Sequence, residues 1–386
     1  MTKRIAHISV SYHCNDLGGR LWNPAICWTQ KYAVFVELQT DDGFVGTGEC
    51  WCFDRAPNSL IAFIETEVAP HIVGAEIDDL PAILQALLAR ATLTARHGIL
   101  CSALSGIDIA LWDIRAQRSA KPVWQMINPD GAGLARLYRS GGLYGKDKDR
   151  AALAVEMRSM TNSGFRMVKL KIGGLSIAED IARVEAVLAT VPAETRLIID
   201  GVYSYSRDNA LAIYKALPPD RIEAFQSPIA AADISGMAWL VAQDIPVMAT
   251  EAEYRPEVHK MIIAEHAVRF LQVAPIACGG ITRVRELSTA LDGTSIQLSL
   301  EISSTAIALM AACHIAAADS RVAQVEYHSV HEVFFERLRL QREGQQDHFA
   351  LPVEPGLGIT LPSDAVKRTA GIAFSKQIPE PRNAVR

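Results

Sequence analysis

Val168-Lys169-Leu170-Lys171-Ile172-Gly173-Gly174 reads as a short apolar strand running into a turn, with two lysines set into it. Strand side chains alternate between two faces, so Lys169 and Lys171 point the same way, and if one enters an interior both do. Two ammonium groups in a closed interior repel each other and lose solvation. At least one of the two lysine pKa values is therefore expected to fall toward the range of a base.

The same rhythm of a short apolar run followed by a helical stretch recurs on both sides. Candidate strands begin near Leu137, Met167, Leu197, Ile222, Val247, Phe270, Ile296 and Ala323, and amphipathic helices such as 180–188 and 282–291 separate them. Repeated βα units imply a parallel sheet, and about eight of them imply a closed barrel. Upstream, strands are expected near 6–12, 32–39 and 44–49, with a hairpin turn at Asp41-Asp42-Gly43. Helical periodicity follows through 60–68, 80–89 and a long stretch ending near Arg118, and Pro122 closes it. The expected fold is α/β: a modified (β/α)8 TIM-type barrel with a smaller N-terminal α+β capping domain. Its expected divisions are 1–120 for the cap, 121–345 for the barrel and 346–386 for a C-terminal segment packing back on the cap.

Composition narrows the class of partner. Hydrophobic residues make up 49% of the 386 and charged residues 21%, the balance of a folded globular protein. The formal charge of -5, with both signs interspersed, gives no footprint for nucleic acid, and no apolar run is long enough to span a bilayer. Seven dispersed cysteines fit reduced thiols in the cytoplasm, and the close pair Cys50 and Cys52 has no matching second pair for zinc. A small-molecule substrate is expected, with no nucleic-acid or membrane partner; a homo-oligomer is expected as well, on grounds other than composition.

Barrel strands end at the mouth where substrates bind, so polar residues there are the first candidates for chemistry. One strand ends Leu197-Ile198-Ile199-Asp200 and another Pro246-Val247-Met248-Ala249-Thr250-Glu251. A lone carboxylate after an apolar run is more often a cap or a surface charge. On neighbouring strands beside the lysine pair, Asp200 and Glu251 instead suggest an oxygen-lined Mg2+ site.

With these residues in place, the sequence resembles the enolase superfamily, in its mandelate racemase and muconate-lactonizing branch. The likeness runs over nearly the whole chain. It is carried by Gly46-Thr47-Gly48-Glu49, Gly106-Ile107-Asp108-Ile109-Ala110-Leu111-Trp112-Asp113, Tyr138-Arg139-Ser140-Gly141-Gly142, Lys169-Leu170-Lys171, Asp200, Glu251 and Gly279-Gly280-Ile281-Thr282. The resemblance implies Mg2+-assisted abstraction of the proton next to a carboxylate, giving an enediolate, with Lys171 as base and Lys169 beside it.

The sequence also departs from the family. Where relatives carry a carboxylate after the fourth strand it reads Phe225-Gln226-Ser227-Pro228, so Gln226 is expected to offer only an amide oxygen to the cation. Glu253 could compensate or could simply sit in a loop. The sixth strand has Ala274 and no Asp or Lys, the seventh has Glu301 in place of a His, and Val202 stands where relatives often have Asn. A racemase needs a base on each face. The expected reaction is thus dehydration of an acid sugar or hydroxy acid, with Glu301 as candidate second catalytic group. A racemase or epimerase is the alternative, and a metal-depleted binding protein the third reading. Glu326 ends the eighth strand, His328 is expected to be structural, and segments 13–28 and 51–55, with Arg20 or Arg55, are expected to be loops over the mouth.

Overall fold

The computed structural model describes residues 3–52, 57–94, 96–338, 340, 347–368 and 372–373. Eight strands form the barrel: Leu134–Ser140, Met167–Lys171, Arg196–Asp200, Ile222–Gln226, Val247–Ala249, Phe270–Val273, Gln297–Leu300 and Val322–His328. All neighbours in this ring pair in parallel, and the eighth closes onto the first through Val325 opposite Leu137. Each predicted strand start lies within a few residues of the observed one. Helices connect the first seven strands to their successors; among the described residues the eighth is followed by a single 3-10 turn and the short helix Glu332–Arg337. Strand His348–Ala350 then pairs antiparallel with the outer part of the first strand.

Alternation along the strands explains why the mouth is polar. Tyr138, Met167, Ile198, Ala224, Met248 and Phe270 form a separate apolar cluster that plugs the barrel interior. Two residues farther along the same inward phase come Ser140, Lys169, Asp200, Gln226 and Gln272, all buried.

The cap is a sheet of Ile5–Trp22, Cys27–Thr40 and Val45–Cys50, with helices after it. The Asp41-Asp42-Gly43 turn is present, Gly43 donating its N–H to Thr40 O at 3.1 Å. One expectation is corrected: most of segment 13–28 is strand. The first strand runs on to Trp22 and pairs with Cys27 and Trp28, leaving a tip at 23–26. A bulge between Asp16 and Leu21, with Gly18 and Gly19 at φ +66° and +64°, twists this ribbon toward the barrel. Leu21 and Trp22 pair with Gly145 and Tyr144 after the first barrel strand, and the Trp22 and Tyr144 rings stack at 4.4 Å.

Helix His97–Arg118 is buried on nearly all sides from Leu100 to Ala116, as an element sandwiched between two bodies must be. The glycines of the cap motif make that contact possible. A Cβ on Gly48 would lie 1.8 Å from Gly106 O, and one on Gly46 would lie 2.1 Å from Ala110 O. On the barrel side Asp108 accepts from Thr282 N at 2.9 Å and from Thr282 Oγ1 at 2.5 Å. Asp113 accepts from Thr47 N at 3.0 Å and Leu357 N at 2.9 Å, tying cap strand and C-terminal segment to the same helix. Lys367–Arg368 and Ile372–Ala373 pair antiparallel with the first cap strand. Among the described residues no helix is long and apolar enough to cross a membrane.

Candidate active site

One cavity of about 320 Å³ at the C-terminal mouth of the barrel is lined by Lys169, Lys171, Asp200, Gln226, Glu251 and Glu301, so every predicted site residue reaches it. Parallel register is the reason for the first four. Lys171 lies opposite Asp200, and Asp200 opposite Gln226, so three consecutive strands end at one level.

Lys171 Nζ donates to Asp200 Oδ2. Lys169 donates to Gln226 Oε1 at 2.9 Å and sits 2.5 Å from Glu326 Oε1 and 3.7 Å from Asp200 Oδ2. The expectation of a depressed lysine is not met at Lys169. Burial opposes its charge, but the carboxylates of Glu326 and Asp200 more than offset this and raise its pKa. Lys169 is therefore held as a cation.

The two carboxyls on strands seven and eight are driven apart. Burial, and then the negative charge of Glu326, push Glu301 well above the usual carboxylate range, with Lys169 and Lys31 only partly offsetting this. Burial also opposes ionisation of Glu326, yet Lys169 and Lys171 beside it bring its pKa down. A neutral acid beside an ionised one is the pattern that assigns a proton donor. Glu301 Oε2 is buried and has no hydrogen-bond partner among the described residues, as a group that awaits a ligand would be.

Backbone strain gathers at the other three positions. Val202 and Tyr203 after Asp200, Ser227 after Gln226 and Thr250 before Glu251 all have left-handed φ, from +45° to +83°. The strain turns Tyr203 across the mouth, where its hydroxyl donates to Glu251 Oε2 at 2.5 Å, and Ser227 Oγ donates to the same oxygen at 3.3 Å. Enclosure at the mouth, and next the charge of Asp200, raise the pKa of Glu251. Two carboxylates in mutual repulsion with an amide oxygen alongside fit a hard, oxygen-seeking divalent cation. Only two of the three groups carry charge, and the amide oxygen already accepts from Lys169.

Glu253 turns away to Arg255, its Oε1 and Oε2 lying 2.9 and 2.7 Å from that guanidinium, which is the loop reading. Arg20 is exposed, and Phe53, Asp54 and Arg55 lie outside the described residues. His328 lines the cavity; its Nδ1 accepts from Val330 N at 3.2 Å, and burial with Lys171, Lys169 and Lys31 nearby keeps the ring neutral.

Sequence reasoning missed Tyr203 and Lys31. Lys31 comes from the second cap strand and donates to Ser303 Oγ at 3.2 Å while 1% exposed. It also passed over the role of Glu49. That buried carboxylate accepts from the hydroxyls of Ser304 and Thr305 and from Ala308 N at 3.0 Å, fixing the loop after Glu301 to the cap. The signal for Glu49 was its place after Gly46-Thr47-Gly48. No comparable pattern marked the other two.

Residues 152–365 match the family model described as enolase C-terminal domain-like, and residues 25–128 match the mandelate racemase / muconate lactonizing enzyme N-terminal domain. The chain belongs to the mandelate racemase branch of the enolase superfamily. Among similar members is the arabinonate dehydratase of Saccharolobus solfataricus, 28% identical over 85% of this chain and 88% of that one. Another is the D-galactarolactone cycloisomerase of Agrobacterium fabrum, 27% identical over 86% and 90%. Of solved structures, a racemase from Streptomyces coelicolor A3(2) with bound magnesium superposes at a TM-score of 0.84, with 20% identity over 92% of this chain and 97% of that one. At that identity the likeness shows the fold alone.

Proposed function

We propose that this superfamily member dehydrates an acid sugar or hydroxy acid, beginning with abstraction of the proton α to the carboxylate. The observation that carries the reading is a single cavity holding Lys171 beside Asp200 and, on another wall, Glu301, whose carboxyl is pushed well above the usual range by burial and whose Oε2 has no hydrogen-bond partner among the described residues. Lys171 takes the α-proton. The electrons of that C–H bond pass into the carboxylate to give an enediolate, and return to form a carbon–carbon double bond as the hydroxyl on the neighbouring carbon leaves with the proton of Glu301, as water. The enol so formed becomes a 2-oxo acid. Asp200, Gln226 and Glu251 would hold Mg2+, which when bound supplies positive charge against the developing negative charge on the substrate carboxylate. Lys169, fixed as a cation by Glu326, adds to that field. The related dehydratases support this reading.

Ala274 leaves no base at the family's sixth-strand position, and burial holds the Glu301 carboxyl well above the usual range, which favours its acid form, so exchange should proceed from one face with little racemised product. In deuterated water with Mg2+, Lys171→Ala should lose both α-proton exchange and turnover. Glu301→Gln should keep exchange and lose about 10²- to 10⁴-fold in elimination. Wild-type exchange in the Lys171 variant would overturn the base assignment, and rapid racemisation of both enantiomers would reveal a second base. A homo-oligomer working in the cytoplasm completes the proposal, to be checked by native mass and by fractionation.

A further inference from the structure

The structural part that the sequence leads one to expect of His328 is carried by one of its two ring nitrogens. Nδ1 accepts from Val330 N at 3.2 Å and caps the turn Ser329–His331 that ends the eighth strand. A ring nitrogen that accepts cannot hold the proton of a neutral imidazole, so that proton is on Nε2. Burial, and next the charges of Lys171, Lys169 and Lys31, keep the ring neutral. The neighbouring imidazole of His331 is also kept neutral, chiefly by burial, and stands 4.7 Å away at 43°, which fixes the plane of the His328 ring. Nε2–H is thus an oriented donor with no acceptor among the described residues.

Its place in the barrel gives that donor a use. Side chains alternate along the eighth strand, so His328 follows Glu326 on the inward phase, and both line the cavity. Ser140 pairs in register with His328 on one side and with Lys169 on the other, which sets the imidazole two strands from the lysine pair. Glu326 is held as a carboxylate by Lys169 and can only accept. When Lys171 removes the α-proton, negative charge builds on the substrate oxygens beside it. A neutral N–H aimed at such an oxygen binds it more strongly as the charge grows, and a neutral imidazole does so without surrendering its proton.

We infer that His328 is a catalytic residue whose Nε2–H donates to the substrate oxygen that gains charge on proton abstraction. The inference rests on the proposed abstraction by Lys171, and its test separates the two. The first measurement uses the unaltered full chain: nitrogen-15 NMR of labelled histidines reads which ring nitrogen carries the proton. His328 should show the Nε2–H form unchanged from pH 6 to pH 9, and an Nδ1–H form or a titration in that range overturns the inference.

The second measurement titrates the full chain, at fixed Mg2+, with glycolate and with oxalate in a calorimeter. Glycolate has the tetrahedral α-carbon of an unreacted hydroxy acid, whereas oxalate is planar with its charge spread over oxygens, as in an enediolate. His328→Asn can keep the cap with its carboxamide oxygen but stops short of the Nε2 position, so its melting temperature should stay close to the parent's. It should lose about tenfold or more in oxalate affinity, the worth of one hydrogen bond to a charged group, and much less in glycolate affinity. His328→Gln, whose amide N–H reaches about as far as Nε2, should bind oxalate more tightly than His328→Asn. Equal oxalate binding by the parent and His328→Asn overturns the inference while leaving Lys171 as the base. If neither probe binds the parent, the proton-abstraction reading falls and takes this inference with it.

Discussion

At the residue scale the informative substitution is Gln226. An amide in place of a carboxylate removes one negative charge from the cation's surroundings and gives Lys169 a neutral partner at 2.9 Å. Affinity of a hard cation follows the charge count of its oxygen ligands. Gln226→Glu should thus tighten Mg2+ binding by about tenfold or more in calorimetry, and unchanged affinity would remove Gln226 from the ligand set. The same charge would also compete with Glu326 for Lys169. The residue scale is where the sequence was most legible, because Lys169, Lys171, Asp200, Gln226 and Glu251 each interrupt or end an apolar run. Tyr203 was hidden, since its position depends on two successive left-handed residues that no side-chain pattern announces. Lys31 was hidden because a lysine on a cap strand looks like a solvated charge until the ribbon is folded onto the barrel.

At the scale of elements, helix His97–Arg118 joins cap to barrel through its carboxylates, and one of them makes the joint sensitive to pH. Burial pushes Asp108 up to about 6 from a usual value near 4, against the hydrogen bonds from Thr282. A folded pKa above the unfolded one means that the folded state holds the proton more strongly. The stabilisation it brings is full below about pH 4 and is lost as pH rises through about 6. Asp108→Asn removes that dependence. The variant should be less stable than the parent at pH 4, and the gap in melting temperature should narrow by pH 7; a gap constant across that range would contradict the assignment. Glu49 is the second joint. Glu49→Ala leaves the donors of Ser304, Thr305 and Ala308 without their acceptor, which should cost on the order of 3 kcal/mol in denaturant unfolding. It should also lower turnover by loosening the loop after Glu301. Helices and barrel strands were readable from periodicity, because they bury one face in a regular rhythm. The extension of the first cap strand to Trp22 was not, because residues 13–20 are mostly polar or glycine and the bulge breaks what alternation remains.

At the scale of the whole molecule, the charged residues of the cavity and its apolar cap residues belong to different bodies. The barrel supplies the charges and the cap supplies Ile26, Trp28 and Trp51, so a ligand that fills the cavity touches both. A ligand that binds only the folded, docked arrangement stabilises it by mass action, by about 2.7 kcal/mol at a concentration of one hundred times Kd. For a chain of this size a kilocalorie moves the melting temperature by about 2–4 °C or less, so saturation should raise it by several degrees. Mg2+ on the proposed ligands Asp200, Gln226 and Glu251 would touch the barrel and not the cap, so its effect should be the same in the parent and in an Ile26→Asn variant. A hydroxy acid that fills the cavity, added with Mg2+, should raise the melting temperature further in the parent than in the variant, with a dependence on concentration that saturates. If the acid stabilises both proteins equally, the cap is not part of the site that binds its tail. If it stabilises neither while Mg2+ still does, the carboxylate end is not recognised by the barrel residues assigned to it.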